Sequence, residues 1–203
     1  MKLYDSMGPN PHVVRMFLAE KGVTLPLEKV DLRAGDNRKE PHLSRNPHGQ
    51  VPALELDNGS YISEIVPICE YLEEKHPTPA LIGATAEERG ETRMWTRRID
   101  LNIVEPALNG FRFSQGLKLF ENRVRCIPEA ADALKATAQD KLKWLDGLMG
   151  SKPFVGGDKL TMADILLFVM VDFMGTVGQS IPADCKNLTA WYGRMKARPS
   201  TAA

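Results

Sequence analysis

Residues 1–22, MKLYDSMGPNPHVVRMFLAEKG, decide the fold. Residues 2–6 read as a short strand that runs into a tight loop, Met7-Gly8-Pro9-Asn10-Pro11, from which a helix departs. Asn10 suits the N-cap, and Pro11 suits the first helical position, where a missing N–H is no loss. Val13, Val14, Phe17 and Leu18 give the helix an apolar stripe, and Gly22 after Lys21 stops it. A helix start facing the end of a strand gathers free N–H groups and the positive end of the dipole, which suits an anion. A thiol held there ionises more readily. The loop contains no cysteine, so such a thiolate arrives on a ligand.

Working outward, residues 24–32 alternate like a strand, residues 33–40 are polar and charged, and residues 46–50 form a turn cluster. Residues 51–56, the Asp57-Asn58-Gly59-Ser60 turn and Tyr61-Ile62 read as strand, turn, strand. Ser63 is placed to cap a helix through Ile65, Ile68, Cys69 and Leu72 to Lys75. The order β-α-β then β-β-α predicts a small sheet with helices packed on it, an α/β unit over residues 1–79. Residues 80–84 read as a linker. Composition then changes, and residues 85–203 read as all-α.

Thr85-Ala86-Glu87-Glu88 is a capping box opening a long helix through Met94, Trp95, Ile99 and Ile103, which Pro106 is expected to end or kink. Pro128-Glu129 opens another helix, with Ala131, Leu134, Ala138, Leu142, Leu145 and Leu148 at helical spacing. Thr161-Met162-Ala163-Asp164 is a second capping box with Asp in place of Glu. It opens an almost wholly apolar helix over residues 165–174, expected to be the buried centre of the second half. Residues 187–198 form a last amphipathic helix carrying Trp191.

Lys and Arg total 26 against 26 for Asp and Glu, so neither nucleic acid nor an anionic membrane is favoured as partner. Three scattered cysteines, Cys69, Cys126 and Cys185, lack CxxC spacing and suit a reducing compartment. No secretory leader opens the chain, and its longest apolar run is too short to span a bilayer. A soluble cytoplasmic protein is expected. His42 and His76 read as surface residues. No metal-ligand spacing, Gly-rich phosphate loop or Ser/His/Asp set is present, so no metal is expected.

The segments LYDSMGPNPHVVRMFLAEKG (3–22), NPHGQVPAL (46–54), ISEIVPICEYLEE (62–74), PFVGGDKLTMADI (153–165) and AWYGRMKARPS (190–200) follow one another at a familiar spacing. Together they resemble the cytosolic glutathione transferases, over residues 2–200. The resemblance implies a thioredoxin-like N-terminal domain beside an all-helical C-terminal domain, in a homodimer. It implies glutathione as co-substrate, with a small electrophile or disulfide as the other partner.

It also implies site residues. Pro52 would be cis, and Val51 before it would offer its backbone N–H and C=O to the cysteinyl unit of glutathione. Glu64 would pair with the α-ammonium, and Ile65, where the family usually has serine, keeps only its backbone N–H for the γ-glutamyl carboxylate. Asn37, with Lys39 and its neighbours, is a candidate for the glycyl carboxylate, and Gln50 for a backbone contact. Many classes place a serine or cysteine where this chain has Gly8. The remaining candidates to stabilise the thiolate are Asn10, Ser6 and a backbone amide. Pro9-Asn10 followed by His12 resembles the nu class, in which an asparagine contacts the sulfur and disulfide reduction is favoured, so glutathione-dependent disulfide or peroxide reduction is the alternative activity. Asn10 as N-cap would use only its oxygen, leaving its NH₂ for the sulfur. The electrophile site is expected between the domains, from Trp95, Arg98, Asn102, Phe111 and Phe113. Gly8 and Ile65 also leave open a non-catalytic binding or regulatory protein with this fold.

Overall fold

The computed structural model describes residues 1–203. Two compact units divide the chain, Met1–Ile82 with Pro199–Ala203, and Gly83–Arg198.

The first unit is built on a four-stranded sheet in the order β2-β1-β3-β4, from Lys2–Asp5 (β1), Leu27–Lys29 (β2), Ala53–Glu55 (β3) and Tyr61–Ser63 (β4). β1 runs parallel to β2 and antiparallel to β3, and β3 pairs antiparallel with β4 across the Asp57–Ser60 turn. Helices α1 (Pro9–Lys21), α2 (His42–Arg45) and α3 (Ile65–Lys75) complete it. Alternation along β1 sends Leu3 and Asp5 to one face and Tyr4 and Ser6 to the other. Arg15 of α1 pairs with Asp5, which puts α1 on the first face, and α1 packs against α3. On the second face Tyr4, Val30, Val51 and Ala53 form a cluster, with His42 of α2 edge-on to the Tyr4 ring.

His42 is therefore not a surface residue: it is 2% exposed, and His76 is half-buried with Nε2 shielded and unpartnered. The segment after α3 is also tied down. Lys21 and Glu73 form a buried ion pair; the ammonium donates to the carbonyls of His76 and Pro79 at 2.8 and 2.5 Å. The Glu73 carboxylate accepts from the amides of Leu81 and Ile82, both buried. The last residues return to α1, where His12 Nε2 lies 3.2 Å from the Thr201 carbonyl and Ser200 donates to Glu20. Pro199–Ala203 thus belong to the first unit.

The second unit is helical throughout: α4 (Ala86–Ile99), a π-turn (Asp100–Val104), α5 (Glu105–Arg112), α6 (Leu117–Phe120), α7 (Ala131–Met149), α8 (Met162–Thr176) and α9 (Lys186–Lys196). The Thr85 capping box forms as the sequence predicts. Pro106 does not end the helix. It has no N–H for the Asn102 carbonyl, and the preceding turn widens so that the Glu105 amide reaches Asp100 O. On α7, Leu142, Leu145 and Met149 are buried, whereas Leu148 is 45% exposed; the inward stripe passes through its neighbour.

α8 is the buried centre, and Asp164 anchors it. One carboxylate oxygen accepts from Val155 N at 2.8 Å and Trp191 Nε1 at 3.0 Å, the other from the amide and hydroxyl of Thr161 at 3.0 Å. Burial pushes this carboxyl up from its ordinary range, and the four hydrogen bonds oppose the shift. No helix is long and apolar enough to cross a membrane.

Candidate functional site

The register of the sheet assembles the site. Tyr4 faces Ala53, and Ala53 faces Ser63. Continued one residue, these pairings bring Asp5, Pro52 and Glu64 level at one end of the sheet. The N-termini of α1 and α3 open at that same end, after β1 and β4.

The α1 start differs from the expectation. Gly8 is the N-cap, with no side-chain cap bond, and the helix begins at Pro9. Gly8 has φ +123°, which L side chains rarely adopt, so backbone shape and not crowding excludes a side chain there. Asn10 is the second helical residue and not the cap, because Pro9 already fits the first position with its fixed φ. Prolines at the first and third positions lack N–H groups, so the Asn10 amide is the one donor among the first three helical residues. Its carboxamide, free of capping, is half-buried beside that amide.

Ser6 has a different fate. It is 6% exposed, and its hydroxyl donates to the Val30 carbonyl at 2.7 Å. Its single proton serves the β1–β2 edge. Arg15 reaches back to Asp5 and to the Ser6 carbonyl at 3.4 Å, fixing the strand end from the helix side. Tyr4 is also engaged: its hydroxyl donates to Glu55 at 2.6 Å, and burial, then that bond, pushes its pKa up.

Across the sheet end, Val51-Pro52 is cis. Val51 has no backbone partner for its N–H or C=O. The residues before it are gripped from below. His42 Nε2 donates to the Gln50 carbonyl at 2.8 Å, Asn46 Nδ2 to the same oxygen at 2.9 Å, and Asn37 Nδ2 to the Gly49 carbonyl at 2.6 Å. A Cβ on Gly49 would stand 2.9 Å from the Asn37 carbonyl, so only glycine allows this approach. Asn37 is 4% exposed and holds the loop with its NH₂, whereas Lys39 is exposed and bonds to Ala34 O.

At the α3 start Glu64 has φ +71°, the one non-glycine residue with positive φ. Such strain costs about 1–3 kcal/mol and marks a functional candidate. Glu64, and not Ser63, occupies the N-cap, with no side-chain cap bond; Ser63 ends β4. Pro67 removes the third helical N–H, leaving those of Ile65 and Val66. The exposed Glu64 carboxylate lies 3.9 Å from His48 Nδ1.

Asn10, Val51, Pro52, Glu64 and Ile65 therefore share one end of the sheet, with Gln50 adjoining. His12 turns to Thr201, and Ser6 and Asn37 are held by backbone carbonyls. The sequence reading missed His42 and Asn46; their spacing of four residues ahead of the Val51 loop was the available signal. In the second unit, Trp95 is 8% exposed, packs against Gly156 and carries the Arg98 guanidinium 5.1 Å from its ring. Asn102 bonds back to the Arg98 carbonyl, Phe111 packs edge-on to Phe120 and Phe173, and Phe113 is half-buried at the end of α5.

Residues 7–75 match the family described as "Glutathione S-transferase, N-terminal domain", and residues 128–194 its C-terminal counterpart. "Glutathione S-transferase 2" of Saccharomyces cerevisiae is 34% identical over 98% of this chain and 87% of its own length. The crystal structure of Gtt2 from the same organism superposes with a TM-score of 0.92 and 32% identity, covering 100% of this chain and 99% of that one. A glutathione S-transferase domain-containing protein of Marinobacter aquaeolei gives 0.93 and 33%, over 99% and 100%. With both halves matched and relatives aligned end to end, the chain belongs to the glutathione S-transferase family.

Proposed function

We propose that this chain binds glutathione at the sheet end where α1 and α3 start, ionises its thiol and directs the sulfur at a soft electrophile. The observation that carries this reading is the convergence of Val51, beside a cis proline and with free backbone groups, on the starts of two helices. Val51 N–H and C=O bind the cysteinyl backbone. The Ile65 and Val66 amides receive the γ-glutamyl carboxylate, and Glu64 its ammonium. Asn10 faces the sulfur with its backbone amide, its carboxamide, or both. The glycyl carboxylate falls to Lys39 or its neighbours, since Asn37 is buried beneath the loop that it bonds. Arg98 and Phe113 are the proposed contacts to the second substrate. The working protein is a cytoplasmic homodimer that serves detoxification.

Thiolate stabilisation by preorganised donors and proximity of the two substrates supply the rate enhancement. A bound thiolate absorbs in the ultraviolet, so a pH titration of the glutathione complex tests the proposal. A thiol pKa well below that of free glutathione is expected, with turnover of an aromatic chloride. Binding without a lowered pKa would instead indicate a non-catalytic binding protein. The Pro9-Asn10-His12 pattern supports a second reading, reduction of a small disulfide by two glutathione molecules. Faster turnover of a disulfide than of the chloride would favour it.

A further inference from the structure

We infer that His42 and Asn46 are positioning residues for glutathione, acting through the Gln50–Val51 peptide. This rests on the reading that Val51 holds the cysteinyl backbone. The Gln50 carbonyl and the Val51 N–H belong to one planar trans unit, so they point in opposite directions and turn together. His42 Nε2 and Asn46 Nδ2 take that carbonyl oxygen from one side, at 2.8 and 2.9 Å. The Val51 N–H is thereby aimed the other way, and no backbone acceptor uses it.

The anchors are rigid. His42 is 2% and Asn46 3% exposed, His42 lies edge-on to the buried Tyr4 ring, and Asn46 also accepts from His48 N. Asn37 fixes the preceding peptide plane through the Gly49 carbonyl. Two donors on one amide oxygen also polarise the amide and strengthen its N–H as a donor. Neither side chain is expected to touch the ligand. They remove the freedom that a loop between Asn46 and Val51 would otherwise lose on binding.

The test compares wild type with His42→Phe, which keeps a ring against Tyr4 and removes the donor, and with His42→Gln, whose terminal NH₂ can reach the same carbonyl. Glutathione affinity is measured by calorimetry, and turnover at saturating glutathione with an aromatic chloride. His42→Phe is expected to weaken glutathione binding about tenfold, the scale of one hydrogen bond. Its kcat and the pKa of the bound thiol stay within about twofold of wild type, because the sulfur is held elsewhere. His42→Gln restores most of the affinity. Asn46→Asp keeps the acceptor toward His48 and loses the donor toward Gln50, so it carries the same expectation if His42→Phe fails to fold. Wild-type affinity in His42→Phe or Asn46→Asp, or an equal fall in kcat, overturns this inference alone. Failure of the wild-type chain to bind glutathione overturns the reading beneath it.

Discussion

Asn10→Ala is the most informative perturbation of the opening helix. Pro9 and Pro11 remove two of the four free amides that a helix start normally offers, and the Ser6 hydroxyl is donated to Val30. On the proposed reading, the side chain left to stabilise the thiolate is the Asn10 carboxamide, beside the Asn10 backbone N–H. A hydrogen bond to a charged acceptor contributes about 1.5–3 kcal/mol. Each unit of pKa corresponds to roughly 1.4 kcal/mol. Removing the carboxamide therefore raises the pKa of bound glutathione by about one to two units, with a matching fall in turnover at neutral pH. Stability is unaffected, because Gly8 and not Asn10 caps α1, and alanine is the better helix former. The ultraviolet thiolate titration reads the pKa, and urea unfolding reads the stability. An unchanged thiol pKa would refute the role of the carboxamide and leave the backbone amide. A stability loss near 1 kcal/mol would mean that Asn10 caps the helix after all. Pro11→Ala, which adds an N–H, is the converse variant and lowers the thiol pKa.

Three further outcomes follow from the geometry. Asp164→Ala orphans the buried N–H groups of Val155 and Trp191 and the half-buried one of Thr161, and destabilises the helical unit by roughly 3–5 kcal/mol in urea unfolding; a loss under about 1 kcal/mol contradicts the anchor. Glu88 is held at about 2 by Lys159 and the amides of Ala84 and Thr85, so it contributes stability above its ordinary 4.5 that is lost as pH falls toward about 2. Glu88→Gln flattens that acid limb, and a Glu88 titration by NMR at its ordinary value would contradict it. Burial pushes the Cys69 thiol well up and the Cys185 thiol up, whereas Cys126 is half-buried. A disulfide reagent therefore modifies Cys126 first in the native protein, and rapid labelling of Cys69 would show that α3 opens.

The features legible from the chain alone are those that depend on neighbours a few residues apart. The Thr85-Glu88 and Thr161-Asp164 boxes, the strand-turn-strand around Asn58-Gly59 and the apolar run of α8 are legible because a cap, a turn or a helical stripe is complete within one or two turns of chain. The start of α1 lies two residues earlier than the sequence pattern predicts, because Asn10 and Gly8 both suit a cap and Pro9 takes the first helical position with Gly8 at φ +123° before it. The tertiary structure alone decided the partners that come from afar. The Ser6 hydroxyl donates its hydrogen bond to the Val30 carbonyl, twenty-four residues on. His42 is buried because α2 covers the Tyr4 face, and the last residues return to α1 through Thr201 and Ser200. No local pattern encodes the φ of Glu64, which is imposed where β4 must turn into α3 at the sheet end. Side-chain chemistry is written in the sequence, but whether a hydroxyl or an amide is free to meet a ligand depends on which distant carbonyl the fold brings within its reach.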